Sequence, residues 1–235
     1  MLADAMNSCR ILDLDAIRNS LEKVQAHFEL LNNQLDEPRD PFNDVVCSNM
    51  LQGYALIDRL VVDGVDLFDL QQIDWIIEIN ATVLCGVDPE KRKEFSQHIA
   101  MTTSRFFAND EGAMRGLLEW YNLHRDKSAW KRAAGVFVYI LSKPQLFIEG
   151  NHRSASLIVS FLLMREGLPP FVLSADNLVA FFNPASVIRR TPKNGLAALF
   201  QLPKIKKKYA AFLEAQSSSE FLLKDSVAKK NVKQN

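Results

Sequence analysis

Gln145-Leu146-Phe147-Ile148-Glu149-Gly150-Asn151-His152-Arg153-Ser154-Ala155-Ser156 separates two apolar runs of helical character, 133–141 before it and 155–164 after it. Pro144 closes the first run, and Gly150-Asn151 is a turn signal directly ahead of the second. The reading is helix, tight loop, helix. The loop carries one carboxylate (Glu149), one amide (Asn151) and one guanidinium (Arg153). The first turn of the second helix presents backbone N–H groups with no partner inside the helix. Such a start is a natural binding place for anions, phosphates above all.

Working outward, the chain reads as helices throughout. Leu14, Ile17, Leu21, Val24, Phe28 and Leu31 form one apolar face over 12–35, ended by Pro38 and Pro41. A second helix spans 43–62, and Asp63-Gly64 turns the chain. Asp69 with Gln72 resembles a capping box that opens a helix carrying Ile73, Ile76 and Val83. Asp88-Pro89-Glu90 opens another that reaches Thr103, with Phe106-Phe107 in a connecting loop. A helix over 111–122 follows, then the central pair. Beyond Gly167-Leu168-Pro169-Pro170, residues 171–173 read as a short extended piece, and Ser174, Asn183-Pro184 and Pro203 read as helix starts. The expectation is an all-α chain of nine or ten helices. Residues 1–42 are a helical N-terminal extension, 43–216 the main domain, and 217–235 a disordered tail rich in serine, lysine and asparagine.

Bulk properties narrow the function. Lysine plus arginine equals aspartate plus glutamate at 28 each, so the whole chain offers no electrostatic case for nucleic acid. Cys9, Cys47 and Cys85 are too scattered for a zinc site or a disulfide framework and fit a reducing compartment. No apolar run approaches the roughly 18 residues of a membrane span, and no Sec signal is visible at Met1. A cytoplasmic protein with no membrane or nucleic-acid partner is expected.

The central stretch resembles the signature of the Fic (Fido) family, His-x-Phe-x-[Asp/Glu]-Gly-Asn-[Gly/Lys]-Arg-x-x-Arg, in Phe147, Glu149, Gly150, Asn151 and Arg153. The flanks are similar too: Ala133-Ala134 opens the preceding helix, 162–170 looks like the leucine helix closed by Gly-x-Pro-Pro, and 69–86 looks like an earlier family helix. The resemblance implies a helical Fic fold that binds the phosphates of ATP or a related donor with Mg²⁺ and moves a nucleotidyl group, usually AMP, onto a hydroxyl of a protein target. By matching position, Glu149 holds Mg²⁺, while Gly150, Asn151, His152, Arg153 and the Ser156 position surround the phosphates. Phe147 is expected in the core.

Two departures stand out. The family's catalytic histidine is Gln145 here, and an amide does not accept a proton near neutral pH. Losing a positioned base typically removes about 10²–10⁴-fold in rate. The second motif arginine is Ser156, which removes a phosphate clamp, and His152 replaces a small residue in the anion loop. No inhibitory [Ser/Thr]-x-x-x-Glu-[Gly/Asn] helix is visible, and in place of the family's β-hairpin flap only 105–108 offers a short edge. Three functions stay open: a nucleotidyl transferase of weak or altered activity; a pseudoenzyme that engages a target or regulatory protein; and transfer to a nucleophile that needs no base. A homodimer is compatible with each.

Overall fold

The structure, a computed structural model, describes residues 10–110, 113–194 and 196–224. These fold as ten α-helices and one 3₁₀ turn, with no sheet among the described residues. The helices are α1 (Leu14–Asn32), α2 (Asp44–Val62), α3 (Asp74–Cys85), α4 (Pro89–Glu94), α5 (Ser96–Phe106), α6 (Met114–Leu123), α7 (Ala129–Leu141), α8 (Asn151–Arg165), α9 (Leu178–Arg190) and α10 (Leu196–Gln216). The all-α expectation holds.

The core is organised around α8. Every residue from Ser154 to Met164 is buried, so this helix has no solvated stripe and is packed on all sides. Helices α2, α3 and α7 lie against it. Gly53 allows the close approach of α2, since a Cβ there would meet Leu157 Cδ1 at 2.3 Å. The serines of α8 are satisfied internally: Ser160 Oγ donates to Ser156 O at 2.9 Å and to Phe171 O at 2.6 Å. Helix α10 covers the far side of α7, where Tyr209 stacks on Phe137 at 4.2 Å.

Residue 42 does not divide this core. Ile17, Leu21, Val24 and Phe28 of α1 belong to the same apolar cluster as the buried residues of α8. Residues 11–13 are also clasped to residues 221–223. Asp13 N–H donates to Phe221 O at 2.9 Å and Leu223 N–H to Ile11 O at 2.8 Å, while Asp58 accepts from the Ile11 and Leu12 amides. At the start of the expected tail, Ser219–Phe221 form a 3₁₀ turn with Phe221 buried, so this part is ordered. The remainder of that expected tail, Cys9 and the start of the 111–122 helix lie outside the described residues.

Several boundaries differ from the sequence reading for local reasons. Asp69 Oδ1 accepts from Gln71 N–H, and Gln72 Oε1 accepts from Asp66 N–H, so the supposed capping box folds a loop and α3 starts at Asp74. Asp88 does cap a helix, accepting from Lys91 N–H at 3.0 Å, but the chain breaks at Phe95 before α5. Arg105 and Phe106 end α5 in place of a flap edge. Residues 171–173 are buried without strand pairing; side chains from α1, α2 and α8, with Asn177, satisfy their carbonyls. Pro184 and Pro203 lie inside α9 and α10. No helix among the described residues is long and apolar enough to cross a membrane.

Candidate functional site

The loop between α7 and α8 is fastened at both ends. Upstream, Lys143 N–H donates to Thr191 O at 2.9 Å and Lys193 N–H donates to Lys143 O at 2.7 Å. Lys193 Nζ donates to the carbonyls of Ser142 and Pro144. Downstream, the Asn151 amide closes a small ring, its Oδ1 accepting from Phe147 N–H at 3.0 Å and its Nδ2 donating to Phe147 O at 2.9 Å. Phe147 is 1% exposed and stacks on Phe106 with centroids 6.1 Å apart. From α3, Asn80 Nδ2 donates to Glu149 O and to Ser154 Oγ.

Gly150 makes the corner. Its φ of 73° is left-handed, and a Cβ would sit 3.0 Å from Asn80 Nδ2 and 3.2 Å from Leu84. Gly150→Ala is expected to lose roughly 2 kcal/mol, part from left-handed strain and part from crowding against α3. Urea unfolding of the variant measures it, and an unchanged midpoint would refute the assignment.

No side chain caps α8. Its first backbone bond is Ser154 N–H to Gly150 O, which leaves the helix start facing a cavity of about 300 Å³ lined by Gly150, Asn151, His152 and Arg153. That is the lower end of the roughly 300–1,000 Å³ usual for small-molecule sites. Phe28, Phe42, Met50 and Phe181 give the cavity an apolar wall. Arg39 and Arg189 bring two further guanidiniums, against the carboxylates of Asp40 and Glu149.

Two polar atoms on this wall are buried without a partner: Arg39 Nε and His152 Nε2. Both side chains meet Phe182, Arg39 lying 5.2 Å over its ring and the His152 ring 5.7 Å away. Burial first, and then the guanidiniums of Arg39, Arg189 and Arg153, push the His152 pKa down to about 3. The imidazole is therefore neutral at physiological pH and is no substitute general base. A buried neutral ring amid cations marks a place where an anion would be favoured.

The predicted residues are brought together, but in different roles. Asn151 spends its side chain on the loop, leaving only its N–H for a ligand. Ser156 turns inward, its Oγ donating to Arg153 O at 2.8 Å. Arg153 Nη1 donates to Val83 O at 2.7 Å, at the carbonyl end of α3, and Nη2 lies 3.4 Å from Glu149. Burial lowers the Arg153 pKa, partly offset by Glu149 and Asp40. Glu149 is exposed, and no group of three or more metal-ligating side chains occurs among the described residues. Gln145 is half-buried on the same wall, and its carbonyl accepts from Arg105 Nη2 at 2.7 Å.

Arg39, Asp40 and Arg189 were not legible as site residues. Arg39-Asp40 reads as a spacer between Pro38 and Pro41, and Arg189-Arg190 as the end of a helix. Folding brings Arg39 over Phe182 and lines one cavity with Arg39, Asp40 and Arg189. Compared with known protein families, curated proteins and solved structures, the chain has no match.

Proposed function

We propose that this chain is a Fic-like protein that binds the phosphates of a nucleotide such as ATP at the start of α8. Nucleotidyl transfer to a protein hydroxyl would be weak or altered, because position 145 supplies no base. One observation carries the reading: an uncapped helix start opens on a cavity where three guanidiniums converge and two buried polar atoms lack partners. Phosphate oxygens suit the helix start and the guanidiniums together. The apolar wall from Phe28 to Phe181 suits the base and sugar.

Mg²⁺ fits only as an ion carried in by the phosphates. Glu149 offers one exposed carboxylate beside the helix start, and a hard cation completes its shell with phosphate oxygens and water. When bound, the ion supplies charge neutralisation. The chain's own residues position the phosphates: Arg39 and Arg153 by their guanidiniums, and Asn151 and His152 by their amides.

Calorimetric titration with ATP and Mg²⁺ tests this. Arg153→Ala should weaken binding about 10–100-fold, the worth of one charge-assisted hydrogen bond at roughly 1.5–3 kcal/mol. Arg153 also holds Val83 O, so Arg39→Met serves as a second variant that leaves α8 and α3 joined. Absence of ATP binding in the native chain, or native affinity in both variants, sinks the proposal.

A pseudoenzyme is the second reading, favoured by Asn151 and Ser156 turning their side chains to backbone. It predicts no label transfer to a protein target even in Gln145→His, whereas the transferase reading predicts a gain. In either case the partner is a target or regulatory protein, in a cytoplasmic setting.

A further inference from the structure

Next to the phosphate cavity lies a second cleft of about 480 Å³. The two share Gln145, Ile148 and Arg189. The second differs in charge: Arg105, Lys143, Arg189 and Arg190 line it, and no carboxylate does. Glu37, outside the cleft, pairs with Arg189 at 2.5 Å and with Arg190, and also lies 4.0 Å from Arg39. One carboxylate shared by three guanidiniums leaves them cationic together. Arg105 and Lys143, on the other wall, have no carboxylate partner among the described residues.

The cleft is held in place by hydrogen bonds to the loop backbone. Arg105 is tied to the Gln145 carbonyl, and Lys143 is bracketed by Thr191 and Lys193 at the end of α9. Cations from α5, the central loop and α9 thus converge on one side of Gln145, and the uncapped start of α8 lies on the other. A group bound in the cleft faces the nucleotide phosphates across a side chain that cannot take a proton.

We infer that this cleft is the acceptor site and that its acceptor is a phosphate monoester. The inference rests on nucleotide binding in the neighbouring cavity. A hydroxyl acceptor must lose a proton and finds no base at Gln145. A phosphate monoester, with a second pKa near 6, is already ionised at neutral pH. Several guanidiniums suit its oxygens and offset repulsion between two anionic reactants. In the step, a monoester oxygen attacks the α-phosphorus of a nucleoside triphosphate and a new P–O bond forms. The bond from the α-phosphorus to the bridging oxygen breaks, and pyrophosphate leaves with the electron pair. The product is a nucleotidyl–phosphate anhydride, with no proton transferred and no redox change.

The test uses the full chain with phenyl phosphate as the probe. Calorimetry without nucleotide should give binding at a roughly millimolar dissociation constant. The Arg105→Gln/Lys143→Gln double variant, altered at exposed positions, should weaken it at least tenfold while ATP still binds in the neighbouring cavity. With ATP and Mg²⁺ added, mass spectrometry should find phenyl phosphate heavier by one adenylyl group, and benzyl alcohol unmodified. No phenyl phosphate binding, or binding indifferent to the double variant, overturns the site. Binding without product, or product with the alcohol instead, overturns the acceptor role. Loss of ATP binding alone would remove the nucleotide reading but leave the probe titration intact, so the two failures are distinguishable.

Discussion

Asn151→Ala is expected to lose roughly 3–5 kcal/mol of stability. The Asn151 side chain is buried and satisfies both the N–H and the carbonyl of Phe147, so its removal leaves a donor and an acceptor stranded beside a core ring. Each stranded group costs about 1–3 kcal/mol, and a small cavity adds to that. Guanidinium unfolding should show a lower midpoint at unchanged slope. Asn151→Asp keeps the acceptor but sets a carboxylate oxygen against Phe147 O, so it should be destabilising as well. A loss in Asn151→Ala below about 1 kcal/mol would mean the loop is held by something else. Because Phe147 stacks on Phe106, the same variant should also loosen the α5 end that carries Arg105.

The second large effect is acid sensitivity centred on His152. Its folded pKa is lowered to about 3, against 6.5 in the unfolded chain. Above pH 6.5 the ring is neutral in both states and its contribution to stability is fully present. As the pH falls from 6.5 towards 3, the unfolded chain takes up a proton that the folded chain refuses. Stability then declines by about 1.4 kcal/mol per pH unit from this group alone. Below pH 3 the decline from this source stops. His152→Phe should flatten the profile in that window, with carboxylate titrations common to both proteins cancelling in the difference. Parallel profiles for the two proteins would show that His152 titrates normally.

How much of this was visible in the sequence follows from the range of each interaction. The corner at Gly150, the start of α8 and the burial of Phe147 depend on residues a few positions apart, and their types fix the geometry. Glu149 and Arg153 fall one helical turn apart, so their neighbourhood was also legible. Arg39 reaches this region from the segment between α1 and α2, and Arg105 and Arg189 from distant helices, and no spacing rule connects them. Asp69 and Gln72 misled because the same side chains that cap a helix can close a loop, as Gln72 does on Asp66. Pro184 and Pro203 misled for another reason. Proline opens helices well, but buried neighbours such as Phe181, Ala185 and Leu202 hold the chain helical past it. The direction in which Asn151 and Ser156 point was beyond any motif, since a motif records residue type and leaves orientation open.

The clasp between residues 11–13 and 221–223 joins segments from opposite ends of the described chain. Contacts of such long sequence separation carry the largest loop-closure cost, so they form late, once the intervening helices are docked. A chain emerging from the ribosome would hold α1 without this latch until residues 221–223 had been made. Pulse-labelled amide exchange at Asp13 and Leu223 should therefore acquire protection together, after the α7–α8 pair.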